Sequence, residues 1–277
     1  FRPGFAIQAR ELTTLQSILQ DQIATQGKHM FKEGTVVIPG QVSYSSEYTN
    51  VRLESTFGGE DVVPSQFFNG LNPVIITGST SGVKAKVIGF SNATTFENGN
   101  TRPPLLYVQY IQSGTDNTTS VFSNSENLTA DIAITHTTSY SSGVASATTF
   151  STNASQTGAA VTVEAGVYFI RGQFVRCINQ TLVLSVDNNF VSGRVGFTIF
   201  ESLITPEGDT NLTDNATGSA NYAAKGAHRL AIDLALSSRT LTGTDDTNFV
   251  ELIRIKRGAV DIQARATEYS ILGDTLA

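Results

Sequence analysis

The chain has 277 residues, of which 15% are charged, and its formal net charge is −6. It contains no basic cluster of the kind that holds nucleic acid, and no run approaches the roughly 20 apolar residues that a membrane-spanning helix needs. Its one cysteine, Cys177, excludes a disulfide framework and a cysteine-based zinc site within the chain. We therefore expect neither nucleic-acid binding nor membrane insertion.

The first predicted element is an amphipathic helix within an N-terminal segment of residues 1–34. It is expected to begin near Gln8 and to end at Gly27, and its leucines and isoleucines recur at spacings of three and four. Such a stripe packs either on the sheet of its own domain or on helices of other copies, and both interpretations remain open. We predict that it forms an oligomer interface. The residues of this apolar stripe are Leu12, Leu15, Ile18, Leu19 and Ile23.

From Thr35 onward the pattern changes to the period of two that is typical of β-strands. We predict connecting strands in residues 35–56 and a small inserted β-barrel or sandwich domain in residues 57–125. Residues 126–160 are rich in Ser, Thr, Ala and Gly, which offer little apolar area to bury. They are predicted to form a linker or an arm that extends across a neighbouring subunit.

Residues 161–277 are predicted to form a second β domain, with a short helix starting near Asp261. In this part, Leu230, Ile232 and Leu234 alternate with alanine and aspartate, which indicates an antiparallel sheet with one buried face. The expected fold class is mainly β with an N-terminal α-helix. Its domains are antiparallel sandwiches or barrels, and one small β domain is inserted.

A long loop, from Thr205 to Gly226, joins two of the predicted strands. At some twenty residues it is longer than an ordinary hairpin connection, which implies either a function or stabilisation by partners. We predict that it contacts another subunit or another protein, and a clasp within the chain is an equal alternative. The predicted contact residues are Asn211, Asp214, Asn221, Tyr222 and His228.

The sequence offers no pattern typical of catalysis or of cofactor binding. In the string GSTSG, Thr80 occupies the position where a nucleophile elbow requires serine, so a hairpin turn is predicted there. The three histidines, His29, His136 and His228, lie far apart in the sequence and do not have the short spacing of metal ligands. Acidic residues of the long loops resemble turn formers more than a carboxylate pair or a calcium loop. They are Glu201, Glu207, Asp209, Asp214, Asp245 and Asp246. We predict no enzyme, no metal site and no cofactor.

Four strings follow one another along the chain, at Phe1–Gly34, Gly166–Leu184, Arg194–Ala216 and Asp214–Leu230. Among them are FRPGFAIQARELTTLQ, GVYFIRGQFVRC and DNATGSANYAAKGAHRL. In this order they resemble signature segments of the large virion structural proteins of tailed phages, especially the contractile-tailed, cyanophage-like phages of marine bacteria. The resemblance implies a part of a phage tail, baseplate or fibre base, assembled in the cytoplasm of the bacterial host and localised in the virion.

Fibre-type phage parts are commonly threefold, so the resemblance and the helical stripe together favour a homotrimer that also contacts other tail or baseplate proteins. Two other functions remain open. A receptor-binding or glycan-cleaving tail spike needs a groove with aromatic residues and converging carboxylates, but tryptophan is absent from the sequence. A secreted surface adhesin needs a signal peptide upstream.

Overall fold

The computed structural model describes residues 8–38, 40–95, 97, 101–243 and 247–263. The predicted fold class is confirmed, because the chain is mainly β with an N-terminal α-helix and several antiparallel sheets. The helix predicted from Asp261 is not found at its start, since Asp261 lies in a strand, and residues 264–277 lie outside the described part. Asp245 and Asp246 also lie outside it.

The helix α1 spans Ala9–Met30, and the strands follow it in chain order. The strands are β1 Val36–Ile38, β2 Val42–Arg52, β3 Thr56–Phe57, β4 Glu60–Asp61, β5 Ile75–Gly78, β6 Lys84–Ser91, β7 Thr94–Thr95, β8 Thr101–Arg102, β9 Leu105–Gln112, β10 Asn127–Ala130, β11 Ile134–Thr135, β12 Ser139–Tyr140, β13 Ala145–Thr148, β14 Ser155–Val163, β15 Gly166–Ile170, β16 Gln173–Cys177, β17 Gln180–Ser185, β18 Gly193–Ile204, β19 Arg229–Arg239, β20 Phe249–Lys256 and β21 Ala259–Gln263.

The chain divides into two compact units whose boundaries differ from the predicted ones. Unit 1 comprises Phe1–Tyr44, Val161–Leu182 and Ser192–Ala277, and unit 2 comprises Ser45–Ala160 and Val183–Val191. The predicted inserted domain of residues 57–125 was therefore too short. Sequence periodicity marks individual strands but carries no information about which distant strands share a sheet, so it could not locate these boundaries.

Helix α1 does not end at Gly27, as predicted, but continues to Met30. Its start is near the predicted one, where the Gln8 N–H donates to Glu11 Oε2 at 2.7 Å. A Cβ atom at Gly27 would run into the ring of Phe169, so glycine lets the helix backbone lie directly against strand β15. Gly27 therefore serves close packing within the helix rather than its termination.

Two sheets build unit 1, with the strand orders β1-β15-β16 and β19-β18-β20-β21, and their pairs are antiparallel. Tyr168, Phe169 and Phe197 are almost fully buried between the strands. The ring centroids of Tyr168 and Phe197 lie 4.8 Å apart in an edge-to-face arrangement, which is a favourable geometry for aromatic pairs. This core supports both α1 and the long strands β18 and β19.

A sheet of eight strands, in the order β13-β10-β5-β6-β9-β2-β14-β17, contributes most of its residues to unit 2. Strand β6 explains the alternation of apolar and polar residues with a period of two, because Ala85 and Val87 are buried while Lys84 and Lys86 are only half-buried. The largest fully buried side chains of the associated core are Leu53, Phe67, Ile76, Leu106, Leu128 and Ile134.

Residues 126–160 do not form the predicted linker or extended arm. They contain strands β10 to β13 and most of β14, and β10 pairs with both β5 and β13 in the eight-stranded sheet. Leu128, Ala147 and Ala154 are fully buried. Small side chains bury little area each, but they let neighbouring strands and loops pack closely.

Candidate assembly surface

The apolar stripe of α1 is exposed in the single chain. Its five leucine and isoleucine side chains are between 43% and 55% exposed, and every residue from Leu12 to Ile23 is exposed. The helix is most covered near its C-terminal end, where Gly27 is buried and Ala24 and Met30 are half-buried. The alternative that the stripe packs on the sheet of its own domain is therefore not realised in unit 1. Whether the stripe binds other copies stays a prediction.

A second exposed element is a ribbon made by the ends of β18 and β19. Strand β18 pairs with β20 only along Gly193–Thr198, but it pairs with β19 along its length to Ile204. Beyond Ile199 the ribbon is therefore two-stranded. We call residues 200–204 and 229–233 the arm. A two-stranded ribbon gains little stability from its own pairing, so the arm is held mainly by the sheet that it continues and by contacts such as the Arg171–Glu201 ion pair.

The arm carries apolar side chains that water reaches. Phe200 is 54% exposed, Leu203 is 65% exposed and Leu230 is 53% exposed. Leu203 lies directly opposite Leu230 in the ladder, so these two side chains share one face of the arm. Phe200 lies three residues before Leu203 and therefore on the other face, so both faces of the arm carry exposed apolar side chains.

The long loop joins the two strands of the arm and is closed by backbone hydrogen bonds within the chain. The Asp214 N–H donates to the Ala224 carbonyl at 2.9 Å, the Ala223 N–H donates to the Asp214 carbonyl at 2.8 Å, and the Gly226 N–H donates to the Leu212 carbonyl at 2.8 Å. The alternative of an internal clasp is thus confirmed for the base of the loop. Beyond this clasp, every residue from 215 to 222 is exposed.

The five predicted contact residues of the loop are all exposed, but they do not form one cluster. Asn211, Asp214 and His228 line a groove of about 590 Å³ whose other wall includes Gln16 of α1. Tyr222, which is 58% exposed, lies with Asn221 beyond the clasp, and neither residue lines the groove. His228 directly precedes β19, close to the strand start that the sequence predicted.

An ion pair joins the two sides of the loop, with Lys225 Nζ 2.6 Å from Glu207 Oε1. The hydrogen bond from Lys225 is the largest cause that lowers the pKa of Glu207 to about 2, and the same pair raises the pKa of Lys225. Because the pKa in the folded chain lies below the ordinary 4.5, the pair stabilises the loop above that pH. This contribution is lost as the pH falls from the ordinary value towards 2.

We expect the NMR signal of the Glu207 carboxyl group to titrate with a midpoint near pH 2. Replacing Lys225 by glutamine should move the midpoint up towards the ordinary 4.5, because the charge of Lys225 and its charged hydrogen bond are removed. The matched control is Lys256→Gln, which removes an exposed lysine paired with Asp261 and should leave Glu207 unchanged. A midpoint near the free value in the parent chain would mean that the clasp does not form in solution.

The other acidic residues that the sequence singled out have structural partners in the described part of the chain. Glu201 forms an ion pair with Arg171 at 2.6 Å, and Asp209 Oδ1 accepts a hydrogen bond from the Asn211 N–H at 3.0 Å. Asp214 Oδ1 accepts one from the Ala216 N–H at 2.8 Å. Among the described residues, no group of three histidine, cysteine or acidic side chains could hold a metal ion.

Two further residues with reactive side chains, Cys177 and His136, have structural surroundings. Cys177 is buried, which raises the pKa of its thiol and leaves less of the reactive thiolate. His136 receives a hydrogen bond from the Val63 N–H at 3.2 Å, and its Nε2 lies 2.7 Å from the Ser146 carbonyl. This histidine connects two parts of unit 2, so its role is structural.

Sequence reasoning missed a buried carboxylate, because Glu126 fell in the tract that was predicted to be a linker. Glu126 is only 2% exposed and accepts four hydrogen bonds. Three come from Thr80 and Ser81 in the GSTSG turn, and one comes from the Ser123 N–H. The predicted hairpin turn thus exists between β5 and β6, but a single acid in a polar tract carries no sequence signal for this role.

Unit 2 contains a polar cleft of about 590 Å³. Tyr107 is the one aromatic ring and Asp187 the one carboxylate among the residues that line it. Arg102, also in the lining, donates a hydrogen bond to Ser91 Oγ at 2.8 Å. This cleft does not present the carboxylate pair that glycan cleavage uses.

No helix among the described residues combines the length and the apolar character that crossing a bilayer requires. The model of one family, a domain of unknown function (DUF4815), matches residues 119–277, which include the arm and its loop. No curated protein and no solved structure matches the chain.

Proposed function

The chain belongs to the DUF4815 family, and we propose that it is a structural component of a tailed-phage virion. In this proposal it is a tail baseplate or fibre-attachment protein that assembles with itself and with neighbouring tail proteins. It acts without catalysis, is made in the cytoplasm of the bacterial host and becomes part of the tail. The resemblance of four segments to virion structural proteins supplies the phage context.

The observation that carries the proposal is the exposure of the α1 stripe. The five side chains of the stripe, spread over three turns of helix, are each 43% to 55% exposed in the single chain, although amphipathic helices gain most of their stability from packing of the apolar face. The arm shows the same deficit, because its apolar residues project beyond the four-stranded sheet. Two surfaces that lack a covering partner are expected of a chain that folds fully only within an assembly.

Assembly also suits a particle that persists outside the cell. A virion part receives no help from chaperones after release, so its lifetime depends on equilibrium and kinetic stability. Burial of α1 and the arm between subunits would stabilise the folded chain and not the unfolded chain, which raises the free energy of unfolding. The same burial removes exposed apolar groups that would otherwise promote aggregation.

Mass spectrometry of purified virions tests the proposal most directly. We expect peptides of this chain to co-purify with tail proteins through a density gradient and to remain after salt washing. Detection in the host culture supernatant without virions would favour the adhesin. Detection in virions together with loss of host attachment, but normal assembly, in a loop variant would favour the receptor-binding spike.

The tip of the long loop offers a specific test of contact with a partner. We expect replacement of residues 215–222 by Asn-Gly to leave the fold intact, because the tip is exposed and the Asp214–Ala223 pair can be closed by a two-residue turn. Incorporation into particles should be lost. Thermal melting followed by circular dichroism measures the first outcome, and particle proteomics measures the second.

The extent of this replacement follows from the structure. A longer deletion that begins at Asn211 would remove Leu212, whose side chain is only 6% exposed, and would damage the base of the loop. The control is Thr217→Ala, a single change at the exposed tip that keeps the loop length. Normal incorporation of the shortened chain would show that the loop tip does not contact a partner needed for assembly.

A further inference from the structure

We propose that the polar cleft of unit 2 binds a small organic anion, whose phosphate, sulfate or carboxylate group is held by the guanidinium groups of Arg52 and Arg102. The hydroxyl groups of such a ligand, a sugar phosphate or a sugar acid, meet the neutral polar side chains of the same cleft. This site lies in unit 2, whereas α1 and the arm belong to unit 1, so it is independent of the proposed assembly.

The cleft is positively charged in a chain that is acidic as a whole. Its charged lining residues are Arg52, Arg102 and Asp187, whereas the formal net charge of the chain is −6. Asp187 is exposed, and its Oδ1 accepts a hydrogen bond from Ser185 Oγ at 3.0 Å. Burial raises the pKa of Tyr107, so its hydroxyl group adds no second negative charge to the cleft. The electrostatics of the lining therefore favour an anion over a cation.

Neither arginine of the cleft forms an ion pair with a carboxylate in the described part of the chain. Half-buried arginines of unit 1 do form one, because Arg171 pairs with Glu201 and Arg254 pairs with Glu251. Arg102 is half-buried, and its buried Nε–H has no acceptor among the described residues. A partly buried charge without a counter-ion is costly, and an anion in the cleft compensates that charge.

The two guanidinium groups are held in place by contacts that leave hydrogen-bond donors for a ligand. The Arg52 guanidinium carbon lies 4.2 Å from the centre of the Phe150 ring, and Nη1 donates to the Thr152 carbonyl at 3.3 Å. Nη2 of Arg102 donates to Ser91 Oγ at 2.8 Å. A guanidinium group has five N–H donors in a planar fork that matches the oxygens of a phosphate or carboxylate group. Because both side chains are already ordered, binding costs little side-chain entropy.

The rest of the lining suits a ligand larger than an inorganic ion. The cleft has a volume of about 590 Å³, which lies within the range of sites for small organic molecules. One wall is fixed by the fully buried Asn50, whose Nδ2 donates to the Val186 carbonyl at 2.5 Å. Neutral polar groups and apolar side chains complete the lining, which suits a carbon skeleton that carries hydroxyl groups. They include Thr101, Leu105, Gln156, Val183 and Ser185.

Isothermal titration calorimetry of the full chain with three matched probes tests the site. The probes are glucose 6-phosphate, glucose and inorganic phosphate, and low ionic strength keeps the screening of charges small. We expect glucose 6-phosphate to bind at least about tenfold more tightly than glucose, because only the former offers charged acceptors to the arginines. Inorganic phosphate should bind more weakly than glucose 6-phosphate, because it fills only part of the cleft.

Substitutions at the cleft test the assigned residues. Arg52→Gln and Arg102→Gln should each weaken binding of glucose 6-phosphate at least about tenfold, because each removes a charged hydrogen-bond donor. Arg176→Gln is the control, because it removes an exposed arginine of unit 1 and should leave the affinity unchanged. Thermal melting shows whether the two cleft variants remain folded.

Asp187→Asn provides a test that a loss of folding cannot imitate. The asparagine keeps an acceptor for Ser185 but removes the one carboxylate of the lining. This variant should therefore bind glucose 6-phosphate more tightly, by up to about fivefold. Weaker binding by this variant would contradict a site whose main attraction is for negative charge.

The outcomes separate the source of the anion. Equal affinities for glucose 6-phosphate and glucose would overturn the anion site, and so would the absence of binding by either phosphate compound. Inorganic phosphate that binds as tightly as glucose 6-phosphate would overturn the organic ligand and assign the cleft to the free ion. Virion proteomics tests the proposed function separately, so either proposal can fail while the other stands.

Discussion

The double substitution Leu15→Asp and Leu19→Asp is expected to convert the chain from an oligomer into a folded monomer. Both side chains are exposed in the single chain, at 43% and 49%, so the charges cost little there. In an assembly each carboxylate would be buried without a partner, which costs about 3–5 kcal/mol. At about 1.4 kcal/mol per tenfold change, each substitution should weaken association by more than about a hundredfold.

Sedimentation velocity measures the mass of the variant, and circular dichroism measures its fold. Ser17→Asp is the control for each single substitution, because it adds one carboxylate to an exposed position of α1 on the side away from the stripe. This control should remain an oligomer, and only the double variant should fail to enter virions. Normal assembly of the double variant would show that the stripe is not the interface.

A second large effect is expected in unit 2, where Glu126→Gln should lower the free energy of unfolding by about 2–4 kcal/mol. The glutamine has nearly the same shape, but its amide nitrogen is a donor that would face backbone N–H groups now bound to a carboxylate oxygen. Buried donors left without an acceptor cost about 1–3 kcal/mol each. The four hydrogen bonds to the Glu126 carboxylate therefore make its charge and its two acceptor oxygens necessary.

Denaturant unfolding, followed by tyrosine fluorescence, measures this loss. Glu54→Gln is the control, because the Glu54 carboxylate accepts a hydrogen bond from the Ser151 N–H near the surface and should change stability by less than about 1 kcal/mol. Equal stabilities of the two variants would contradict the role assigned to Glu126. Since Glu126 belongs to unit 2 and α1 to unit 1, its substitution should leave the mass of the folded assembly unchanged.

The proposed assembly gives each exposed element a separate test. The α1 stripe is tested by charge insertion, and the loop tip is tested by its replacement. If the stripe variant fails to oligomerise while the loop variant oligomerises but stays out of particles, self-association and contact with other tail proteins use different surfaces. Failure of both variants to oligomerise would place the loop tip within the interface between copies.

Local periodicity was sufficient to predict α1 and the longer strands outside residues 126–160. The stripe of α1 and the alternation in β6 and β19 repeat within a few residues, so their signal does not depend on distant contacts. The long loop was also recognisable, because its length exceeds that of an ordinary connection. The exposure of the stripe could not be read from its pattern, since a buried and an exposed amphipathic helix have the same spacing.

Contacts between distant parts of the chain determined the features that local periodicity does not predict. In the sequence Gly27 has the character of a helix end, but in the structure it packs against Phe169, which is more than a hundred residues away along the chain. The composition of residues 126–160 is typical of a linker, but β10 in this tract pairs with β5 and so joins a sheet. Glu126 became buried for the same reason. Periodicity along the chain thus determined the helix and strands, whereas burial and partner surfaces arose only in the tertiary structure, because they depend on which distant segments meet.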